Sequence, residues 1–359
     1  MMLSDSINPQ MVTLARQAAG MTQIELGKAA GLAQATISKV EAGLLQLTGE
    51  EVARLTIALD FPVDFFFQNR HVPGPGLSEM FHRKRQRVGI KLLNFIHAEA
   101  AVRLMNLQDM LRSWELPDEV IPQIPLDDNG NETPEKVARR LRAVWYIPSG
   151  PVFSVTNTIE QFGGLVMPCR FGTRHVDGFS RRWDGMPPAF FVNASLTPDR
   201  WRWTLAHELG HMVIHGDVPD QPDKIMELQA DQFAGEFLAP EYEIKPQLWN
   251  LTLPKLAGLK RYWKISIQAL IMRAHRLEAL TEGQMRYLFV QLSKAGYRLR
   301  EPAELDPPAE PPTLVNHILE HHVRNLGYSE GELLGLLKIG LNRFSLLYTP
   351  GKPRLKLLT

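Results

Sequence analysis

Within Thr204-Leu205-Ala206-His207-Glu208-Leu209-Gly210-His211, two histidines stand four residues apart and a glutamate directly follows the first. Positions i and i+4 share one face of an α-helix, so this spacing can offer two imidazoles to one point in space. The flanking residues ask for a helix as well. Thr197 is a candidate N-cap, Pro198 suits the first helical position and Asp199 the first turn. Trp201, Leu205, Leu209 and Met212 form an apolar stripe at helical spacing, and His215-Gly216-Asp217 reads as the exit. Zinc (Zn2+) held by three protein ligands keeps one position open and activates water near neutral pH. His207 and His211 are the candidate ligands, and Glu208 is placed to handle the water proton.

Such a site needs a third ligand. Residues 227–240 read as a second helix stopped by Pro240, with Phe233, Phe237 and Leu238 on its buried side. Glu227 and Asp231 share a face of it. Glu227 is the preferred ligand and Asp231 a partner that orients a histidine. Asp217, His215 and Asp231 remain alternatives. Asp217 lacks the glycine that such an arrangement uses to turn the chain, since Ile214 stands there, and His215 lies far along the first helix.

The pattern H-E-L-G-H followed by E-x-x-A-D-x-F-A and Pro240 resembles the ImmA/IrrE family of intracellular metallopeptidases. Three segments upstream are similar to the family's strands: 163–167, 177–180 and 188–193. Residues 265–273 resemble a helical element that packs nearby, and the resemblance spans roughly residues 146–280. It implies zinc as cofactor, His207, His211 and Glu227 as ligands, and Glu208 as general base. Members typically act on a transcriptional repressor, and others have lost proteolysis and serve as sensors. From the residues themselves, the three segments are short, rich in Val and Phe, and bounded by turn formers, which predicts a small, mainly antiparallel sheet. The strand 189–193 is suited to pair with an extended substrate peptide. His175, Arg181 and Tyr242 are candidates to stabilise an oxyanion.

The N-terminal segment has its own punctuation. Asn8–Ala19 reads as a helix with Met11, Leu14, Ala15 and Ala18 inward. Thr22 and Glu25 make a capping box for a second helix, and Gly31-Leu32-Ala33 makes a tight turn. Residues 34–43 form a third helix closed by Gly43, and Glu50–Leu59 a fourth. The wording M-T-Q-x-E-L and A-G-L-x-Q-A-T-I-S-K-V-E-A-G resembles the XRE class of helix-turn-helix regulators. That resemblance places the third helix in the major groove of operator DNA, with Gln34, Thr36, Ser38 and Lys39 as base or phosphate contacts and Gln23 beside them. Glu41 is expected to brace the fold. Residues 1–70 carry five Lys or Arg against seven Asp or Glu, about −2, which is not a basic footprint. The basic cluster follows at Arg83, Lys84, Arg85 and Arg87, then Lys91, and can supply phosphate contacts.

Composition bounds the rest. A chain of 359 residues holds two or three domains. Its net charge of +1 gives no global attraction to nucleic acid or membrane. A lone cysteine, Cys169, excludes an intramolecular disulfide and fits a reducing cytoplasm. No long apolar run predicts membrane insertion. Ile90–Trp114 reads as a long amphipathic helix, and a helix capped by Thr133 follows a Pro- and Asp-rich loop. Glu301–Pro312 reads as a linker, and three short helices end the chain, with packing or oligomerisation as their expected role.

The expectation is an α+β chain, mostly α. It divides into a helix-turn-helix domain over residues 1–70, a basic segment and helical connector over 71–145, a zinc metallopeptidase-like domain over 146–280 and a C-terminal helical region over 281–359. The expected partners are double-stranded operator DNA, a protein substrate or cognate repressor or toxin, and a second copy of the chain in a homodimer. Two functions remain open. One is a DNA-bound regulator with a zinc endopeptidase acting in a stress, phage or toxin–antitoxin response. The other is a repressor or antitoxin-type module whose metal site is structural or sensory.

Overall fold

The computed structural model describes residues 6–70, 72, 88–115, 121–127, 129, 131–183, 185–216 and 224–348. Arg83, Lys84, Arg85 and Asp217 lie outside the described residues. Two compact units emerge. The first comprises Met1–Leu116, Phe171–His175 and Val315–Thr359, and the second Pro117–Arg170 and Val176–Leu314.

The first unit begins with α1 (Pro9–Ala18), whose N-cap Asn8 accepts from Gln10 N–H through its side chain. The Thr22–Glu25 capping box opens α2 (Gln23–Ala30), and Gly31 ends it at φ +64°, a left-handed conformation that glycine adopts without a Cβ penalty. α3 (Gln34–Glu41) and α4 (Gly49–Leu59) follow, the latter opened by a Thr48–Glu51 capping box, and then the short α5 (Val63–Phe66). Ile37, Val40, Leu55 and Phe66 are buried between them.

Then comes α6 (Ile90–Met110), which packs against α1. Its expected amphipathic stripe is replaced by burial on nearly every side. Glu99, Arg103, Asn106 and Asp109 are all buried, and their polar groups are matched except for Glu99 Oε2. Arg103 pairs with Glu99 at 2.9 Å, and Arg70 forks onto Asp109 at 2.5 and 2.8 Å. The helix ends at Met110 in a 3-10 turn, short of the expected Trp114.

The second unit opens with α7 (Pro134–Val144), capped by Thr133, and α8 (Val155–Gln161), capped by Ser154. Three strands follow: β1 (Leu165–Cys169), β2 (Gly178–Trp183) and β3 (Met186–Asn193), in the order β1-β3-β2. β2 is antiparallel to β3, as expected, whereas β1 is parallel to it, so the sheet is mixed. α8 precedes β1 and packs against it. The central strand β3 has hydrogen-bonded neighbours on both edges, which corrects the expectation that residues 189–193 receive a substrate strand.

Against this sheet lies α9 (Pro198–Gly210), extended by a π turn over His211–His215. α10 (Lys224–Leu238) packs on α9 and on α7. A Cβ on Gly210 would stand 3.0 Å from Phe233 Cδ1, so the glycine of H-E-L-G-H is what lets α10 come this close to α9. Trp201, Leu205, Leu209 and Met212, read as a stripe from the sequence, are buried in one core with Phe190, Phe233 and Phe237. Burying each such aromatic or aliphatic side chain stabilises by about 1.5–3 kcal/mol.

The unit is completed by α11 (Glu241–Ile244), α12 (Leu253–Trp263), α13 (Ile267–Arg276) and α14 (Glu282–Lys294). The acidic segment 301–312, read as a linker, is fastened. The Glu301 carboxylate accepts from Ile267 and Gln268 N–H at the start of α13, and Glu310 accepts from Val155 and Thr156 N–H at the start of α8 and pairs with buried Arg202.

The chain then rejoins the first unit through α15 (Leu314–Arg324), α16 (Glu330–Leu337) and α17 (Leu341–Tyr348). The C-terminal carbonyls of the last two helices are taken up by α6. Asn106 Nδ2 donates to Leu337 O at 2.6 Å, and Arg103 Nη1 to Leu347 O at 2.9 Å. The expected packing role of these helices therefore has a specific target, the polar groups buried on α6. Among the described residues no helix is long and apolar enough to cross a membrane.

Candidate metal centre and nucleic-acid face

The i, i+4 spacing on α9 brings His207 Nε2 and His211 Nε2 to 3.1 Å of each other. Glu227, in the first turn of α10, completes the cluster: its carboxylate oxygens lie 3.8 Å from His207 Nε2 and 3.5 Å from His211 Nε2. Among the described residues these three form the one group of histidines and carboxylates that could hold a metal ion. In a tetrahedral zinc site with bonds near 2.0–2.1 Å, ligand atoms are about 3.3–3.4 Å apart. Two imidazole nitrogens and a carboxylate at these separations fit a zinc ion. Both histidines are mostly buried, and the Glu227 side chain is half-exposed.

Each histidine is held from behind. His207 Nδ1 is 2.9 Å from Asp231 Oδ1, one helical turn beyond Glu227 on α10, as the shared face anticipated. Burial opposes a cation at His207, but the Asp231 hydrogen bond and the carboxylates of Glu208, Asp231 and Glu227 outweigh it and raise its pKa above the usual histidine value. His211 Nδ1 faces His215 Nδ1 at 3.0 Å, and His215 Nε2 is 2.9 Å from Gln229 Oε1. Burial pushes the His215 pKa down. His215, an alternative ligand on sequence grounds, thus stands behind His211 with both ring nitrogens engaged. Among the groups that sequence spacing could not reveal are Gln229 and Ser180.

Glu208 is buried against the sheet. Ser180 Oγ, on β2, lies 2.9 Å from Glu208 Oε2 and 3.2 Å from the Glu208 carbonyl. A hydroxyl donating to one carboxylate oxygen fixes the orientation of the other. Sequence alone had no means of finding Ser180, because its proximity depends on how β2 crosses α9. Of the candidate oxyanion groups, Arg181 lies with its guanidinium carbon 5.9 Å from the centroid of the Trp183 ring, and Tyr242 is exposed and bonded to Glu243 and Ser149. His175 belongs to the first unit.

On the helix-turn-helix, Gln34 and Lys39 are exposed on α3, and Thr36, Ser38 and Gln23 are half-buried. Gln34 Nε2 donates to Gln23 Oε1 at 2.8 Å, and Gln23 Nε2 donates to Glu41 Oε2 at 2.9 Å. Arg16 holds Glu41 by two bonds of 2.6 and 2.9 Å. This chain of contacts fixes the two glutamine side chains from within the bundle, and Glu41 braces it. Lys91, read as a candidate phosphate contact, is half-exposed and paired with Glu25 at 2.7 Å.

Residues 159–275 match the family model of the IrrE N-terminal-like domain, a peptidase family, and residues 13–66 match that of a helix-turn-helix. No curated protein and no solved structure matches the chain. The two matched segments contain, respectively, the His207–His211–Glu227 cluster and the Gln23–Gln34 pair, and the chain thus joins an XRE-type helix-turn-helix module to a peptidase-family domain of the ImmA/IrrE type.

Proposed function

We propose that this DNA-binding regulator carries a zinc-dependent endopeptidase that cleaves a regulatory protein in a stress, phage or toxin–antitoxin response. The observation that carries the reading is the convergence of His207, His211 and Glu227 beside a buried glutamate, Glu208, whose carboxylate is held by Ser180. Zinc bound by those three residues would supply Lewis-acid polarisation of water and of a peptide carbonyl. The protein's own part is proton handling. With Ser180 donating to Glu208 Oε2, the Oε1 oxygen is left to take the proton of the attacking water and pass it to the leaving amine. An extended peptide adding to the outer edge of β2, rather than to β3, would run alongside Ser180.

In the same reading Gln23, Gln34, Thr36, Ser38 and Lys39 contact operator DNA, and Arg83, Lys84 and Arg85 add phosphate contacts. A homodimer matches the paired half-sites that single helix-turn-helix units read, and the setting is the cytoplasm, where DNA and a reduced Cys169 coexist.

The deciding experiment is a survey of new protein N-termini in cells expressing the wild type or Glu208→Gln at matched levels under stress. Termini present only with the wild type name the substrate. Identical termini across stresses overturn the peptidase reading and leave a regulator whose metal site is structural or sensory.

A further inference from the structure

The two histidines of the cluster are supported in different ways. Behind His207 stands the Asp231 carboxylate, which can only accept a proton, so the His207 proton is drawn to Nδ1 and its Nε2 is left bare toward the site. Behind His211 stands no charge. Its Nδ1 meets another imidazole nitrogen, His215 Nδ1, at 3.0 Å, and the far nitrogen of that ring meets an amide, Gln229 Oε1, at 2.9 Å.

A neutral imidazole carries one N–H, and two Nδ1 atoms at hydrogen-bonding distance share one proton. The chain therefore has two self-consistent polarities. If Gln229 presents its carbonyl, His215 carries its proton on Nε2 and donates it there. His215 Nδ1 is then an acceptor, His211 Nδ1–H donates to it, and His211 Nε2 is bare. If position 229 presented a donor, every step would reverse. His215 Nδ1–H would donate to His211, and the His211 proton would sit on Nε2, 3.1 Å from His207 Nε2 and 3.5 Å from Glu227 Oε1, where a metal would have to bind. A glutamine can turn either its carbonyl or its amide N–H toward His215, and only the carbonyl matches the polarity that leaves His211 Nε2 bare, the one that a metal at that nitrogen requires.

We infer that Gln229, acting through His215, is a positioning residue that backs the His211 tautomer with Nε2 bare and so raises the affinity of the centre for zinc. The inference deepens the zinc-site reading and rests on it. The π turn over His211–His215 carries both rings of the relay, and α10 carries Glu227, Gln229 and Asp231 together. One helix thus supplies the third ligand and both of the groups that stand behind the two histidines.

The test uses the full chain stripped of metal, with zinc titrated in competition with a chromophoric chelator. Gln229→Leu keeps the bulk and removes the acceptor, and zinc affinity is expected to fall about ten- to a hundredfold. Gln229→Glu, an acceptor only, is expected to restore wild-type affinity or better. Added negative charge alone could do the same, so the pair is repeated in a His215→Phe background, where the relay is absent and the two variants are expected to bind zinc equally well.

Wild-type affinity in Gln229→Leu overturns the inference. So does a difference between the Glu and Leu substitutions that persists at full size in the His215→Phe background. A wild-type chain that takes up no zinc overturns the metal-site reading beneath it instead.

Discussion

The Asp60 carboxylate accepts the backbone N–H of Arg343 at 2.8 Å, across 283 positions of sequence. Asp60 ends α4 in the left-handed region at φ +56°, and its backbone carbonyl also accepts from Gly340 N–H at 3.1 Å. Arg343 returns the contact. Its guanidinium donates to Ala18 O and Leu59 O, the last turns of α1 and α4, both at 3.2 Å, and lies 4.3 Å from the Phe61 ring centroid. Burial lowers the Arg343 pKa to about 10, so it stays a cation at neutral pH. One turn of the C-terminal helices thus closes the ends of two helices of the DNA-binding bundle.

Arg343→Met would leave those carbonyls without their charged donor. The expected cost is about 2–4 kcal/mol. Hydrogen exchange of the full chain should show faster exchange at the ends of α1 and α4, and operator affinity should fall in parallel at elevated temperature. Unchanged exchange at both helix ends would show that the C-terminal helices do not support the bundle.

A second prediction concerns Lys260, fully buried with Nζ 2.6 Å from Asp199 and 2.8 Å from Glu301. Lys260→Met would strand two buried carboxylates, at an expected cost of about 3–5 kcal/mol in denaturant unfolding. Adding Glu301→Gln should recover part of that loss. Burial opposes the Lys260 cation, but its carboxylate partners, Asp199 and Glu301 foremost with Asp306 at 3.3 Å, outweigh burial and raise its pKa. The stabilisation is therefore complete below the ordinary lysine value of 10.5 and is lost as pH rises through the higher folded-state value. Wild type and Lys260→Met should converge in stability only in strong alkali.

How far the sequence reached depended on distance along the chain. The Thr22–Glu25 capping box, the Gly31 turn and the His207–His211 spacing are local grammars, written within eight residues or fewer, and each was legible. Glu227 and Asp231 were found because α10 carries them on one face. Ser180 was not, since its place beside Glu208 follows from the crossing of β2 and α9. Nor was the attachment of α16 and α17 to α6, because the partners of Asn106 and Arg103 lie 231 and 244 positions away and are main-chain carbonyls, which no side-chain pattern marks. The parallel pairing of β1 was equally hidden, as strand direction depends on how the chain connects through the 170–177 segment.

Glu25 offers a pH prediction. Its hydrogen bond to Lys91, then those to Thr22, lower its pKa to about 2. A depressed carboxylate contributes stability that is present above the ordinary value of 4.5 and is lost as pH falls toward 2. A carboxyl carbon-13 titration should find the Glu25 midpoint near the lower value, and Lys91→Ala should move it upward. A midpoint already at 4.5 in the wild type would remove the Lys91 tether from the account.

Ser180 provides the sharpest probe of the proposed chemistry, because it is bonded to Glu208, the proposed base, and not to His207, His211 or Glu227. Glu208→Gln is expected to keep zinc and DNA binding while lowering kcat on the identified substrate by about 10²–10⁴. Ser180→Ala removes one hydrogen bond to that carboxylate, worth about 1–1.5 kcal/mol, so kcat should fall about tenfold with KM and zinc affinity near wild type. The double variant should be no slower than Glu208→Gln alone, since Ser180 acts only through Glu208. A Ser180→Ala chain that loses zinc instead would assign the hydroxyl to the metal centre's architecture, and one that cleaves at the wild-type rate would leave the Glu208 carboxylate with no need of it.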